Sequence, residues 1–292
     1  MPARDRFLDV ALASCVELPE PDFDERPLVA ALEQAGLSCA VLGWDDPGAD
    51  FAAARMVLLR STWNYPERPA EFAGWLERVA SRVPVWNPPP VVRWNLHKGY
   101  LLDLERRGVP VVPTLLLRAG ERVDLASVLA ERGWRDVVIK PAISAASYRT
   151  LRAGRDDLPR AAAHLAALLA ERDALVQPYL PSVEDHGERA IVWIDGEITH
   201  AVRKAPRFAG EDESVSGPVP VGPDEAALAE RAIAAVDGDL LYARIDVAPG
   251  PDGRPVVMEL ELIEPSLFFP QQRAALDRFV SGIASRLGRP GH

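Results

Sequence analysis

The residues best placed to do chemistry lie near the C-terminal end, in the segments LYARIDV and PVVMELELI, separated by Pro249-Gly250-Pro251-Asp252-Gly253. That turn composition between two alternating apolar runs predicts a β-hairpin. Side chains alternate faces along a strand, so Arg244 and Asp246 share one face of the first strand. Glu259 and Glu261 share a face of the second, with Met258, Leu260 and Leu262 on the opposite side. If the polar faces coincide, three carboxylates and a guanidinium meet on one side of a two-stranded ribbon. Like charges at that spacing repel by roughly 1 kcal/mol per pair in water and more where water is excluded. A hard divalent cation with oxygen ligands would offset them, and Mg²⁺ bridging to phosphates is its common use. The alternative is a solvated hairpin face on which Arg244 pairs with one acid and water covers the rest.

Lysine is the second signal. Of 33 basic residues only Lys98, Lys140 and Lys204 are lysines. A lysine is a compact point charge suited to a single phosphate oxygen, whereas arginine offers a planar fork. Lys140 ends the apolar run VVIK before Pro141 and a loop of small residues. Lys98 opens a helix read over about 95–107, and Lys204 ends EITHAVRK beside Arg203. All three stand at element ends, where sites are built; three surface lysines would be the plainer reading.

Strand-like and helix-like segments alternate through the first hundred residues: FLDVALASC, ERPLVAALEQAG, SCAVLGW, RMVLLR and a helical stretch from Glu67 to Arg82. This rhythm predicts a parallel sheet flanked by helices, with ligands beyond the carboxyl ends of its strands. Arg60-Ser61-Thr62-Trp63-Asn64-Tyr65 falls there, as a substrate-facing segment or as a structural turn. A proline-rich joint follows at Asn87-Pro88-Pro89-Pro90. The middle of the chain reads strand (VVPTLLL), helix (124–132), strand (DVVIKP), loop (142–150), helix (158–171) and strand (ALVQPYL). The last third opens with the hairpin ERAIVWI/EITHAVRK around Asp195-Gly196. A Pro-, Gly- and acid-rich stretch over 205–222 is expected to be a lid or a disordered loop. A helix over 223–237, the acidic hairpin and a terminal helix with a Leu276, Phe279, Val280, Ile283, Leu287 stripe complete the chain.

Bulk properties narrow the function classes. The 292 residues are 48% hydrophobic and carry a net charge of −10, which disfavours a nucleic-acid partner. Cys15 and Cys39 form no Cys-x-x-Cys pair and the five histidines are scattered, so a zinc site is not expected. No run approaches the ~20 apolar residues of a membrane helix. The N-terminus reads as a first strand rather than a signal peptide, and a cytoplasmic protein is expected.

In order and context, these features resemble the ATP-grasp superfamily, in particular its glutathione-synthetase-like branch, from about Asn95 to Ser266. The resemblance implies an α/β fold of three lobes: an N-terminal parallel α/β lobe (1–108), a central lobe (109–181) and a C-terminal lobe (182–292), the last two sandwiching ATP between antiparallel sheets. Lys98 and Lys140 match the two nucleotide lysines. Gln177, Pro178, Tyr179 and Leu180 look like the hinge that lines adenine, and Glu188 like the ribose carboxylate. Asp246, Glu259 and Glu261 match the ligands of Mg²⁺, with Mn²⁺ as a substitute. Arg203 or Lys204, and Arg244, match catalytic cations near the terminal phosphate and the substrate. The family's phosphate loop usually carries glycines, yet here it is ISAASYRT (143–150), with Ser144, Ser147 and Arg149 as phosphate contacts and a stiffer backbone. Glu261 replaces the usual Asn.

Both departures, with ELELIEPS (259–266) and RSTW (60–63), resemble a sub-branch that closes D-cycloserine from an O-ureido amino acid. That likeness adds Arg60, Ser61, Thr62, Tyr65, Glu264 and Ser266 as substrate residues. The implied activity is ATP-dependent activation of a small molecule's carboxyl or carbonyl group for attack by an amine. It is either intermolecular ligation or cyclisation, with a non-catalytic nucleotide-binding module as the rival from another class. The partner is a small molecule of the amino-acid type, and a homodimer stays open.

Overall fold

The computed structural model describes residues 8–145, 147–205 and 214–288. The first lobe contains β1 (Leu8–Ser14), α1 (Glu25–Gln34), β2 (Cys39–Gly43), β3 (Ala54–Leu59), α2 (Pro69–Ala80) and β4 (Val85–Trp86). Its strands are all parallel in the order β2-β1-β3-β4. Two short helices follow, α3 (Pro89–Asn95) and α4 (Tyr100–Arg106). The expected single helix over 95–107 is therefore broken. Pro89 and Pro90 occupy the first turn of α3, where a missing N–H costs nothing and φ is already helical. Lys98 lies in the turn between α3 and α4 rather than opening a helix.

The central lobe holds β5 (Leu115–Leu117), α5 (Leu125–Arg132), β6 (Asp136–Pro141), β7 (Leu151–Gly154), α6 (Leu158–Leu169) and β8 (Ala174–Pro178). The sheet is antiparallel, ordered β5-β8-β6-β7. Asp124 caps α5 by accepting the Ala126 and Ser127 N–H groups, and Gly133 at φ 69° ends it. The four-residue β7 gave no pattern long enough to read. Its lobe has its own core of Leu125, Leu129, Val137, Ile139, Leu165 and Leu168.

The third lobe opens with a single turn, α7 (Ser182–Asp185), then β9 (Glu188–Ile194), β10 (Glu197–Lys204), β11 (Val215–Val219), α8 (Pro223–Ala234), β12 (Tyr242–Pro249), β13 (Pro255–Glu261) and α9 (Arg273–Gly288). Its antiparallel sheet runs β11-β10-β9-β12-β13. The stretch expected as a lid or loop thus includes a strand, β11 on the sheet edge, where Pro218 is tolerated; positions 206–213 of that stretch lie outside the described residues. The first and third lobes share one core, in which Leu12, Leu28, Leu32 and Met56 pack with Tyr242, Phe279 and Ile283. The Tyr242 hydroxyl lies within hydrogen-bond reach of the carbonyls of Leu59 (2.9 Å) and Ile263 (2.7 Å), tying β12 to the end of β3. Among the described residues, no helix is long and apolar enough to cross a membrane.

Candidate active site

Each element of the acidic hairpin delivers its charged side chains to one cleft. β12 and β13 pair Arg244 with Glu261 and Asp246 with Glu259. The register then slips by one residue, so that Val247 faces Val257 and Met258 bulges out. A bulge sets two successive residues against one partner. Met258 therefore joins Glu259 on the cleft wall, contrary to the strict alternation expected from sequence.

The cleft has a volume of about 240 Å³. Its charges come from separate lobes. Lys98 arrives from the α3–α4 turn, Lys140 from the end of β6, Lys204 from the end of β10, and Glu188 from the start of β9. Lys204 Nζ reaches Glu188 Oε1 at 2.7 Å and Asp246 Oδ2 at 2.8 Å. Asp246 is 1% exposed and also accepts Arg244 Nε–H at 2.9 Å. Burial alone would raise its pKa; Arg244 and Lys204 overcome that and hold the carboxyl well below the usual range. Arg244 also pairs with Glu261, and Lys98 with Glu259, whose second oxygen lies 3.8 Å from Lys140 Nζ. Burial, with Lys140 nearby, pushes Lys98 down to about 7, and burial likewise lowers Lys140. Glu188 is pushed up by burial, with Lys204 opposing.

Ser144, Ser147, Gln177, Pro178, Tyr179 and Leu180 line the same cleft. Val112, Val138, Tyr179, Leu180, Val183 and Met258 make one end of it apolar. Trp63, Tyr65, Glu264 and Ser266 line it as well, with Trp63 Nε1–H donating to the Glu264 carbonyl at 3.0 Å. The buried Tyr65 phenol donates to Glu264, whose carboxyl is raised to about 8 by burial and by Glu261.

Five residues expected at the site lie elsewhere. Arg60, 5% exposed, donates to the Pro265 carbonyl at 3.0 Å and lies over the rings of Tyr242 and Phe279. It braces the turn whose Leu267, Phe268 and Phe269 N–H groups bind Asp24. Ser61 is buried against Ser14, with 3.0 Å between hydroxyl oxygens, and Thr62 is fully buried. Their segment does reach the cleft, but through Trp63 and Tyr65. Arg149 turns outward to Glu171 at 2.9 Å. Arg203 alternates to the face opposite Lys204 and donates to the Asp185 and His186 carbonyls, both at 2.9 Å. It packs so closely on Gly187, at φ 80°, that a Cβ there would meet it at 2.5 Å. Glu20, in the loop after β1, also lines the cleft and was missed. The rule that pointed to the end of β3 applies equally to the end of β1.

The donor set suits a hard cation in type: three carboxylates on one sheet face. Among the described residues, no three His, Cys, Asp or Glu side chains already converge as a metal cage. Each proposed ligand instead rests on a lysine or arginine, the cations for which phosphate oxygens compete best. The residues therefore fit a metal that enters together with a polyphosphate.

Comparison with known proteins agrees with this geometry. Residues 10–87 match the family described as D-cycloserine synthetase DcsG, N-terminal domain. The cycloserine biosynthesis protein DcsG of Streptomyces lavendulae is 36% identical over 94% of this chain and 97% of its own. The crystal structure of D-cycloserine synthetase DcsG superposes with a TM-score of 0.88 at 34% identity, covering 95% of this chain and 99% of that one. The ATP-grasp ligase PsnB, in complex with a phosphomimetic variant of its minimal precursor, Mg and ADP, shares the fold at a TM-score of 0.66 and 18% identity, covering 96% and 99%. A three-lobed cleft with lysines facing a carboxylate hairpin, and this similarity along almost the whole length, lead to one conclusion: the chain belongs to the D-cycloserine synthetase family of ATP-grasp ligases.

Proposed function

We propose that this ligase uses ATP and Mg²⁺ to close a ring within one small amino-acid derivative, forming a C–N bond of the cycloserine type. The observation that carries the reading is the convergence of all three lysines of the chain on the face that holds Asp246, Glu259 and Glu261. The division into 1–108, 109–181 and 182–292 belongs to the same reading, and the separate core of the middle lobe supports it.

In this assignment the apolar end of the cleft, with the Gln177–Leu180 hinge, takes adenine, and Glu188 takes the ribose hydroxyls. Lys98, Lys140, Lys204, Ser144 and Ser147 hold phosphates. Asp246, Glu259 and Glu261 would hold Mg²⁺, which supplies neutralisation of charge on the transferring phosphoryl group. Arg244 orients the acceptor oxygen beside the phosphates. Trp63, Tyr65, Glu264 and Ser266 enclose the substrate and exclude water. The protein contributes positioning and charge compensation, so no nucleophilic side chain is needed. An intracellular location accords with free Cys15 and Cys39.

The test is to incubate the protein with ATP, Mg²⁺ and O-ureido-D-serine, beside a panel of other amino acids and amines, and to follow phosphate release and product mass. Phosphate release that requires the ureido amino acid and yields a ring supports cyclisation. Release only with a separate acid and amine makes the chain an intermolecular ligase. Nucleotide binding without turnover on any of them returns it to a binding module.

A further inference from the structure

His97 precedes the Lys98 turn and takes no part in the cleft lining, yet its ring is held at both nitrogens. Nδ1 accepts the Gly99 N–H at 3.0 Å, which leaves the ring proton on Nε2, 3.2 Å from Asp173 Oδ2. Asp173, just before β8, is itself fixed from the β5 side: it accepts the Ala119 N–H at 2.9 Å and the Arg118 guanidinium at 2.6 Å. The backbone completes a circuit. The Lys98 N–H donates to the Ala142 carbonyl at 2.7 Å, and the Ala142 N–H donates to the Asp173 carbonyl at 2.9 Å. Gly99 is required for the approach, since a Cβ there would meet His97 Nδ1 at 2.8 Å and Leu116 Cδ2 at 3.4 Å.

Three chain segments are thus closed into one ring of hydrogen bonds, and two of them, at Ala142 and Asp173, belong to the central lobe. Ala142 is two residues beyond Lys140. The turn carrying Lys98 is fastened to the same lobe that carries Lys140, although α3 and α4 on either side of it pack against the third lobe through Val91, Tyr100 and Leu104.

We propose that His97 is a positioning residue: bridging Gly99 and Asp173, it makes Lys98 and Lys140 one preset anion-binding pair that moves with the central lobe. A lysine placed in advance gives up less side-chain freedom when it meets a phosphate than one that must be ordered on binding. This inference rests on the reading of Lys98 as a nucleotide ligand, and the experiment separates the two.

ATP-Mg²⁺ affinity is measured by calorimetry for the full-length protein, for His97→Ala, for Lys98→Met and for the double variant, with a melting curve for each. A residue acting through Lys98 gives a non-additive cycle. His97→Ala should weaken ATP binding about tenfold when Lys98 is present and less than about twofold in the Lys98→Met background, a coupling within the range seen for neighbouring residues. Equal losses in both backgrounds would make His97 a general stabiliser and overturn the proposal. So would an unchanged affinity in His97→Ala. An unchanged affinity in Lys98→Met would remove the nucleotide assignment of Lys98 and this inference with it. Should His97→Ala fail to fold, Asp173→Asn and Gly99→Ala disturb the same bridge from either end and enter the same cycle.

Discussion

Glu264 offers a test that needs no substrate. Its side chain is in the cleft, 8% exposed, and its carboxyl is pushed from 4.5 up to about 8. Burial is the main cause and Glu261 adds to it, while Tyr65, Lys98 and Arg244 oppose. Between pH 4.5 and 8 the folded protein keeps this proton and the unfolded chain has lost it. Stability therefore falls as pH rises through that window. At ~1.4 kcal/mol per pH unit, the loss is on the order of 3 kcal/mol by pH 7 and approaches 5 kcal/mol above pH 8. Glu264→Gln keeps the shape and a hydrogen-bond acceptor for Tyr65 but has no proton to lose. The variant should melt close to the wild type at pH 5 and progressively above it toward pH 8. At roughly 2–4 °C per kcal/mol for a chain of this size, the gap at pH 8 should be at least about 5 °C. The assay is a set of melting curves at pH 5, 6, 7 and 8 without nucleotide. A gap independent of pH, or a variant less stable at pH 8, would refute the reasoning.

Other substitutions separate chemistry from architecture. Glu259→Gln should cut Mg²⁺-dependent phosphate release by about 10²-fold or more with little change in melting, because metal-assisted charge stabilisation is worth several kcal/mol; near-normal turnover and metal dependence would remove Glu259 as a ligand. Lys140→Ala should weaken ATP binding roughly 10- to 100-fold, the worth of a charge-assisted hydrogen bond, without lowering the melting temperature of the free protein; an unchanged affinity in calorimetry would count against the phosphate role. Arg203→Met should lower stability by about 1–3 kcal/mol through the orphaned Asp185 and His186 carbonyls and leave turnover at saturating ATP within a factor of about three. A collapse of turnover at unchanged melting temperature would reinstate Arg203 as a catalytic cation.

Period and punctuation made most of the fold legible. The parallel first lobe follows from apolar runs too short for helices, and the acidic hairpin from Pro-Gly-Pro-Asp-Gly between alternating strands. The candidate cleft was legible through rarity and placement, as three lysines at element ends and three acids on one face of a two-stranded hairpin. What escaped was set by tertiary context. The β12/β13 bulge at Met258 changes which residue faces the cleft, and nothing in VVMELE announces it. Arg203 and Lys204 are adjacent cations on β10, and only which face of the sheet each occupies decides which of them meets Asp246 on β12. Arg60, Ser61 and Thr62 follow a parallel strand as ligand-binding residues do, but all three are buried, Arg60 over Tyr242 and Phe279 of the core shared by the first and third lobes and Ser61 against Ser14.

The glycine-free loop after β6 shows how local rules yield to a site. Ser147 at φ 56° and Arg149 at φ 50° adopt the left-handed conformation that glycine usually supplies, at a cost of roughly 1–2 kcal/mol each. Bonds beside the loop offset that cost. The Tyr148 N–H donates to the Ala145 carbonyl at 2.9 Å and the Thr150 N–H to the Ser147 carbonyl at 3.0 Å. His164 of α6 lies 2.9 Å from the Arg149 carbonyl, and Glu171 holds the Arg149 side chain. The outward side chains thus act as fasteners, which is why Arg149 is absent from the cleft. Ser144, Ser147 and Thr150 line the cleft itself. A glycine loop reaches the same φ without strain but also explores many others. In the proposed phosphate role, the anion meets hydroxyls and amides of residues whose side chains restrict the backbone, rather than a glycine backbone that folds around its ligand.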